Sequence, residues 1–136
     1  MRTKVRGFTL VELLVVVLIV GLLVGIVGPR LLGQVSKSEI TTARAQLDAL
    51  DKAIQAYRID MGRLPSPSQG LEALINLSSG EQRWRGPYLQ GTLPVDPWGS
   101  PYVYRVPGPQ GRDYELLSLG PDKAQGGAGD NADIRR

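Results

Sequence analysis

Sixteen consecutive uncharged residues, Leu13 to Gly28, open the apolar part of the chain, and the pattern there has no polar face. A helix of that length is about 24 Å long at 1.5 Å per residue, short of a ~30 Å hydrocarbon core. Starting at Phe8 gives twenty-one residues and about 31 Å, enough to span, but places Glu12 inside the apolar run. After Gly33 the pattern becomes two-sided. From Ser36 to Asp60, Ile40, Ala43, Leu47, Leu50, Ile54 and Tyr57 recur in steps of three and four, which is one helical face. The other face is charged, with Arg44 and Asp48, and Asp48 and Lys52, as i,i+4 pairs worth about 0.2–0.5 kcal/mol each. Six apolar contacts cannot close a core alone, so the stripe predicts a covering layer.

Gly62 supplies a helix stop, and Pro65-Ser66-Pro67-Ser68 a turn or extended link. A short helix is predicted over residues 69–77, where Leu71, Leu74 and Ile75 share a face. From Ser78 to Pro101, Ser79-Gly80, Gly86-Pro87, Asp96-Pro97 and Trp98-Gly99 punctuate a loop with neither helical nor strand period. Residues 102–106 read as a strand, 107–111 as a turn, and 113–119 as the antiparallel partner. A long helix followed by a small antiparallel sheet is an α+β fold, with the sheet's apolar face covering the helical stripe.

Composition narrows the chemistry. The 136 residues allow one ordinary domain plus an appendage. With neither His nor Cys, a Ser-His-Asp or Cys-His nucleophile, ordinary zinc ligation and a disulfide framework are all excluded. The net charge of +3 suggests nucleic acid until position is considered: Arg2, Lys4 and Arg6 precede the apolar run, where topology signals sit. Without them thirteen bases face thirteen acids, and Arg83 with Arg85 around Trp84 is a small patch, so no nucleic-acid partner is expected.

Glu12 needs an explanation, because an intramembrane carboxylate costs at least ~2.5 kcal/mol and is usually paired. A cleavable secretory signal would end in small residues, whereas this run ends Ile26-Val27-Gly28-Pro29-Arg30. A plain anchor leaves Glu12 unpaired. Cleavage between Gly7 and Phe8 instead creates an α-amino group four residues from Glu12, and that amine on a neighbouring chain can neutralise the carboxylate. Glu12 is then an assembly device. Pro29 removes a helical hydrogen bond, and Gly25, Gly28 and Gly33 lower helix propensity around it, so the helix can straighten or melt locally there.

Arg6-Gly7-Phe8-Thr9-Leu10-Val11-Glu12 before an apolar helix resembles the class III signal of type IV pilins and pseudopilins. The resemblance implies that a prepilin peptidase cuts after Gly7 and N-methylates Phe8, with Glu12 as the registry residue. It also implies a leader over 1–7, a membrane and filament-core helix over 8–33, and a periplasmic globular domain over 34–136. Leu93-Pro94-Val95-Asp96-Pro97-Trp98-Gly99-Ser100-Pro101-Tyr102, with Asp60-Met61-Gly62-Arg63-Leu64-Pro65 and Gln69-Gly70-Leu71, is similar to the major pseudopilins of the type II secretion system. Asp96 itself reads as a turn carboxylate accepting backbone N–H groups, and Trp98 as an aromatic clamp under the loop.

The stretch from Leu119 to Ile134 holds four glycines and three carboxylates, Asp122, Asp130 and Asp133. Composition alone allows a solvated tail or a hard-cation site, since calcium takes six to eight oxygens and glycines let a loop turn its carbonyls inward. It is not an EF-hand, because the alternating acidic ligands are missing. The resemblance implies a calcium site here, with Asp122, Asp130 and Asp133 as carboxylate ligands and the backbone of Leu119 and Gln125 as further donors. Calcium would then replace the disulfide that staples many pilins.

The resemblance implies a non-enzymatic subunit of the inner membrane, single-pass with its carboxyl-terminal domain in the periplasm. It polymerises with itself into a helical pseudopilus that drives folded proteins across the outer membrane. Its expected partners are other copies, minor pseudopilins, the prepilin peptidase and the inner-membrane assembly platform. No phosphate-binding loop is present, as Gly126-Gly127-Ala128-Gly129 lacks the following Lys and Ser/Thr, so the power comes from elsewhere. Two competitors are a surface type IV pilus subunit, against which the absent cysteines and the Asp-Pro-Trp-Gly segment speak, and an anchored hydrolase using Asp113 and Glu115.

Overall fold

The computed structural model describes residues 7–136, without the side chains of 30–32. The expected leader, with Arg2, Lys4 and Arg6, lies outside the described residues apart from Gly7. One helix, α1, runs from Leu10 to Met61, 52 residues with Pro29 inside it. The chain divides into two compact units, the first reaching Lys37 and the second Ser38–Arg136.

In the first unit α1 has no covering layer. Its described large apolar side chains are all exposed, Leu18 at 72% and Leu22 at 64% among them, and the helix is long and apolar enough to cross a membrane.

In the second unit the expected stripe is the core. Ala43, Leu47, Leu50, Ile54 and Tyr57 are buried on α1, joined by Ala53 and Met61, with Ile40 packed at the margin. Three short antiparallel strands lie in the order β1 (Val103–Arg105), β2 (Glu115–Ser118) and β3 (Ile134–Arg135). Val103 pairs with Leu117, and Ser118 with Ile134. Tyr102, Leu116 and Ile134 join the helical core from the sheet side.

Three expectations need revision. The short helix expected over 69–77 is a 3-10 helix, Gly70–Leu74, entered through Gly70 at φ +57. Three residues per turn put Leu71 and Leu74 on one line, and both are buried, whereas Ile75 is only half-buried. Asp48 pairs with Arg136 at 3.0 Å rather than with Arg44 or Lys52, because the chain end returns to α1 and also brings Arg136 to Asp51 at 3.4 Å. The third strand is new: β3 has one apolar residue and no alternation, so no periodicity announced it.

Tyrosine hydroxyls tie the layers together. Tyr102 donates to Gln46, Tyr114 to Asp51, Tyr88 to Asp60, and Tyr104 to the Pro65 carbonyl. Burial, then the Asp96 charge, pushes Tyr102 up to about 12, and burial, then the hydrogen bond to Asp51, pushes Tyr114 up to about 12.

Candidate functional site

The amino-terminal site is built on the first turn of α1. Gly7 and Phe8 precede the helix, with Phe8 78% exposed. Thr9 is the residue before the first helical position. Its Oγ1 accepts the Glu12 N–H at 3.3 Å, while Glu12 Oε2 accepts the Thr9 N–H at 3.4 Å. This reciprocal pair is a capping box, which satisfies two amide donors that the helix start leaves open. The negative side chain also sits at the positive end of the helix. Thr9-x-x-Glu12 ahead of an apolar run is the sequence signal that marks the capping box. Within one chain Glu12 is therefore hydrogen-bonded and exposed.

The carboxyl-terminal site is the connection between β2 and β3, so the Gly/Asp segment is a closed loop between paired strands rather than a free tail. Asp122 Oδ1 accepts the Ala124 N–H at 3.1 Å. Asp133 Oδ2 accepts the Gly126 N–H at 3.0 Å and pairs with Arg135 at 3.3 Å, while the Asp133 N–H donates to the Gly126 carbonyl at 3.0 Å. Asp133's side chain is only 3% exposed, and its Oδ1 is buried without a hydrogen-bond partner. Gly127 is held at φ +81. A Cβ there would overlap the Asn131 carbonyl oxygen and lie 3.2 Å from Asp122 Oδ2.

Of the three aspartates, Asp122 and Asp133 thus stand on the two arms that Gly127 brings together. Asp130 lies in a 3-10 turn, Gly129–Asn131, exposed to solvent. Leu119 is half-buried and Gln125 exposed. Among the described residues no three carboxylates are assembled into one metal cluster. The donor chemistry nevertheless fits calcium. The carboxylates and carbonyls of the loop are oxygen donors, now met by the Gly126 and Ala124 amides and the Arg135 guanidinium, and the buried Asp133 oxygen that lacks any partner is costly unless a cation or water answers it.

Asp96 holds the neighbouring loop. Its Oδ1 accepts the N–H groups of Trp98 at 3.2 Å and Ser100 at 2.7 Å, and its Oδ2 accepts the Ser118 hydroxyl at 2.6 Å. Trp98 is half-buried against the core and donates its indole N–H to Glu39. Both match the turn-carboxylate and clamp roles expected of them.

The carboxylates of the hydrolase reading are engaged in ion pairs. Glu115 is buried, with one oxygen 3.2 Å from Arg105 and the other 3.3 Å from Arg135, while Asp113 pairs with Arg58 at 2.8 Å. Trp84 is likewise occupied, donating to the Ala73 carbonyl and meeting Tyr88 edge-on, so it is not a free stacking platform.

Comparison with known proteins agrees with this geometry. Residues 2–28 match the model of the prokaryotic N-terminal methylation motif, and residues 30–136 match that of type II secretion system (T2SS), protein G. A type II secretion system core protein G of Pseudomonas aeruginosa is 39% identical over 136 residues, covering 98% of this chain and 95% of that protein. One from Vibrio cholerae is 40% identical over 134 residues, covering 96% and 90%. The crystal structure of the major pseudopilin from the type 2 secretion system of enterohaemorrhagic Escherichia coli matches with a TM-score of 0.63 at 32% identity, over 79% of this chain and 93% of that one.

The fold and its bare apolar helix define a pilin-like structural subunit. The chain belongs to the type II secretion system protein G family, the major pseudopilins. The pilus-subunit alternative is not favoured.

Proposed function

We propose that this chain is cut between Gly7 and Phe8 by a prepilin peptidase, N-methylated on Phe8, and held in the inner membrane by a single span with residues 34–136 in the periplasm. From there it polymerises with other copies, on an inner-membrane assembly platform and with minor pseudopilins, into the pseudopilus that moves folded proteins across the outer membrane. It carries out no catalysis. The observation that supports this reading best is the first half of α1: a long apolar surface with no intramolecular cover and one carboxylate near its start. At about 25 cal/mol per Å² such a surface is stable only in lipid or against other helices. Contacts between non-equivalent patches repeat without closing, and so generate a filament.

On assembly, Glu12 exchanges its capping bond to Thr9 for the α-amino group of a neighbouring copy, which conserves the pairing of the carboxylate in an apolar setting. Calcium supplies a staple for the β2–β3 loop. Asp122 and Asp133 are its carboxylate ligands, with Asp130 and the carbonyls of Leu119 and Gln125 drawn in as the loop closes. The test is the mass of the amino terminus in cells with a prepilin peptidase. A methylated chain starting at Phe8 is expected, and a chain starting at Met1 would refute the processing step and the assembly built on it.

A further inference from the structure

Asp96 and Ser118 are both essentially inaccessible, at 2% and 0% exposure, and neither is a ligand in the calcium reading. They are linked. The Ser118 hydroxyl donates to Asp96 Oδ2 at 2.6 Å and accepts the N–H of Gly120 at 3.1 Å. Gly120 opens the Gly/Asp loop at φ +74, and a Cβ there would lie 3.3 Å from the Ala132 carbonyl, on the returning arm. Its own carbonyl accepts the Lys123 N–H. Gly120 therefore lies where the outgoing arm, carrying Asp122, passes the returning arm, carrying Asp133. Its amide is fixed by a serine whose own orientation is fixed by a buried carboxylate.

We propose that Asp96, acting through Ser118, is a positioning residue for cation binding in the β2–β3 loop. It sets the Gly120 amide and thereby the approach of the Asp122 and Asp133 arms. The polarity of the relay matters. A carboxylate can only accept, so Ser118 must donate to it and keep its lone pairs for Gly120. The charge also makes the serine bond short and strong, and the bonds from Trp98 and Ser100 hold the carboxylate still. The same oxygen that serves Ser100 serves the Trp98 amide, so the state of the loop is coupled to the surroundings of Trp98. This inference rests on the calcium reading and extends it to residues outside the loop.

The experiment titrates calcium into the full chain in detergent, as wild type, Ser118→Ala and Asp96→Asn. Each is followed by calorimetry and by thermal melts in calcium and in chelator, and Trp98 fluorescence is read in a Trp84→Phe background. Ser118→Ala removes the relay and leaves Asp96 its two bonds from the Trp98 and Ser100 amides. Asp96→Asn keeps the shape and can accept from Trp98 and Ser100, but exchanges acceptor for donor toward Ser118. The expected result is calcium affinity weakened at least about five-fold in both variants, a smaller calcium-induced rise in melting midpoint, and a Trp98 response that no longer follows calcium. A merely structural role would lower the midpoints in chelator and in calcium by equal amounts and leave affinity unchanged, and that result would overturn the proposal. Absence of binding by the wild type would overturn the calcium reading itself and this inference with it. Asp122→Ala serves as the ligand-loss reference.

Discussion

Leu18 and Leu50 occupy the same helix and have opposite surroundings: the first is 72% exposed, the second completely buried. Helical propensity does not distinguish them, since leucine favours a helix in either place. What differs is the partner layer. From Ser38 onward the chain supplies its own cover, in a 3-10 turn, a three-stranded sheet and a tyrosine belt, and the large apolar side chains of the α1 stripe turn inward. Up to Lys37 it supplies none for the described side chains. Carboxylates show the same division. Asp96 accepts three hydrogen bonds, whereas among the described residues the Glu12 carboxylate accepts one long bond, from Thr9. One half of α1 completes its contacts within the molecule, and the other leaves them for lipid or neighbouring copies.

The comparison breaks most sharply if core truncation fails to separate the halves. Leu50→Ala should cost about 2–5 kcal/mol, while Leu18→Ala leaves the thermal midpoint of the detergent-solubilised chain unchanged. Equal effects would mean the first half is packed within its own chain. Next comes Asp96→Ala, which strands the amides of Trp98 and Ser100 and the Ser118 hydroxyl. A loss of about 3 kcal/mol is expected in denaturant titration. Calcium should raise stability by about 2.7 kcal/mol at a hundred times its Kd, a gain absent from Asp122→Ala in paired melts with chelator. Arg136→Ala releases Asp48 and Asp51 at a half-exposed site, so about 0.5 kcal/mol is expected by the same melts.

The smallest effect is seen only at alkaline pH. Tyr102 and Tyr114 have folded pKa values raised to about 12 from 10, so above pH 10 the folded chain holds protons that the unfolded one has lost. Their contribution is complete below pH 10 and is lost as pH rises through 12. A midpoint that rises over that range would contradict the buried-hydroxyl assignment.

The division of α1 was legible because periodicity is a local signal: an unbroken apolar run changing to steps of three and four marks where cover begins. The β1–β2 hairpin was legible too, since the runs 102–106 and 113–119 flank the turn signal Pro107-Gly108. Long-range features were not. β3 is two residues whose role depends on lying beside Ser118, and Arg136 reaches Asp48 only because β3 returns the chain end to the helix. The buried Asp133 oxygen belongs to the same class. Composition puts three aspartates in the loop, while only the folded path distinguishes buried Asp133 from exposed Asp130. The capping box at Thr9 and Glu12 is a local signal, written in the Thr-x-x-Glu spacing itself.

If the first half of α1 is an intermolecular surface whose carboxylate serves assembly, the yield of polymer depends on Glu12. The most direct test compares sedimentable polymer from cells expressing wild type or Glu12→Ala with a type II secretion apparatus, at equal levels of processed subunit. Glu12→Ala should fold with the wild-type midpoint of its carboxyl-terminal unit and yield little or no polymer. Wild-type amounts of polymer from Glu12→Ala would contradict the account.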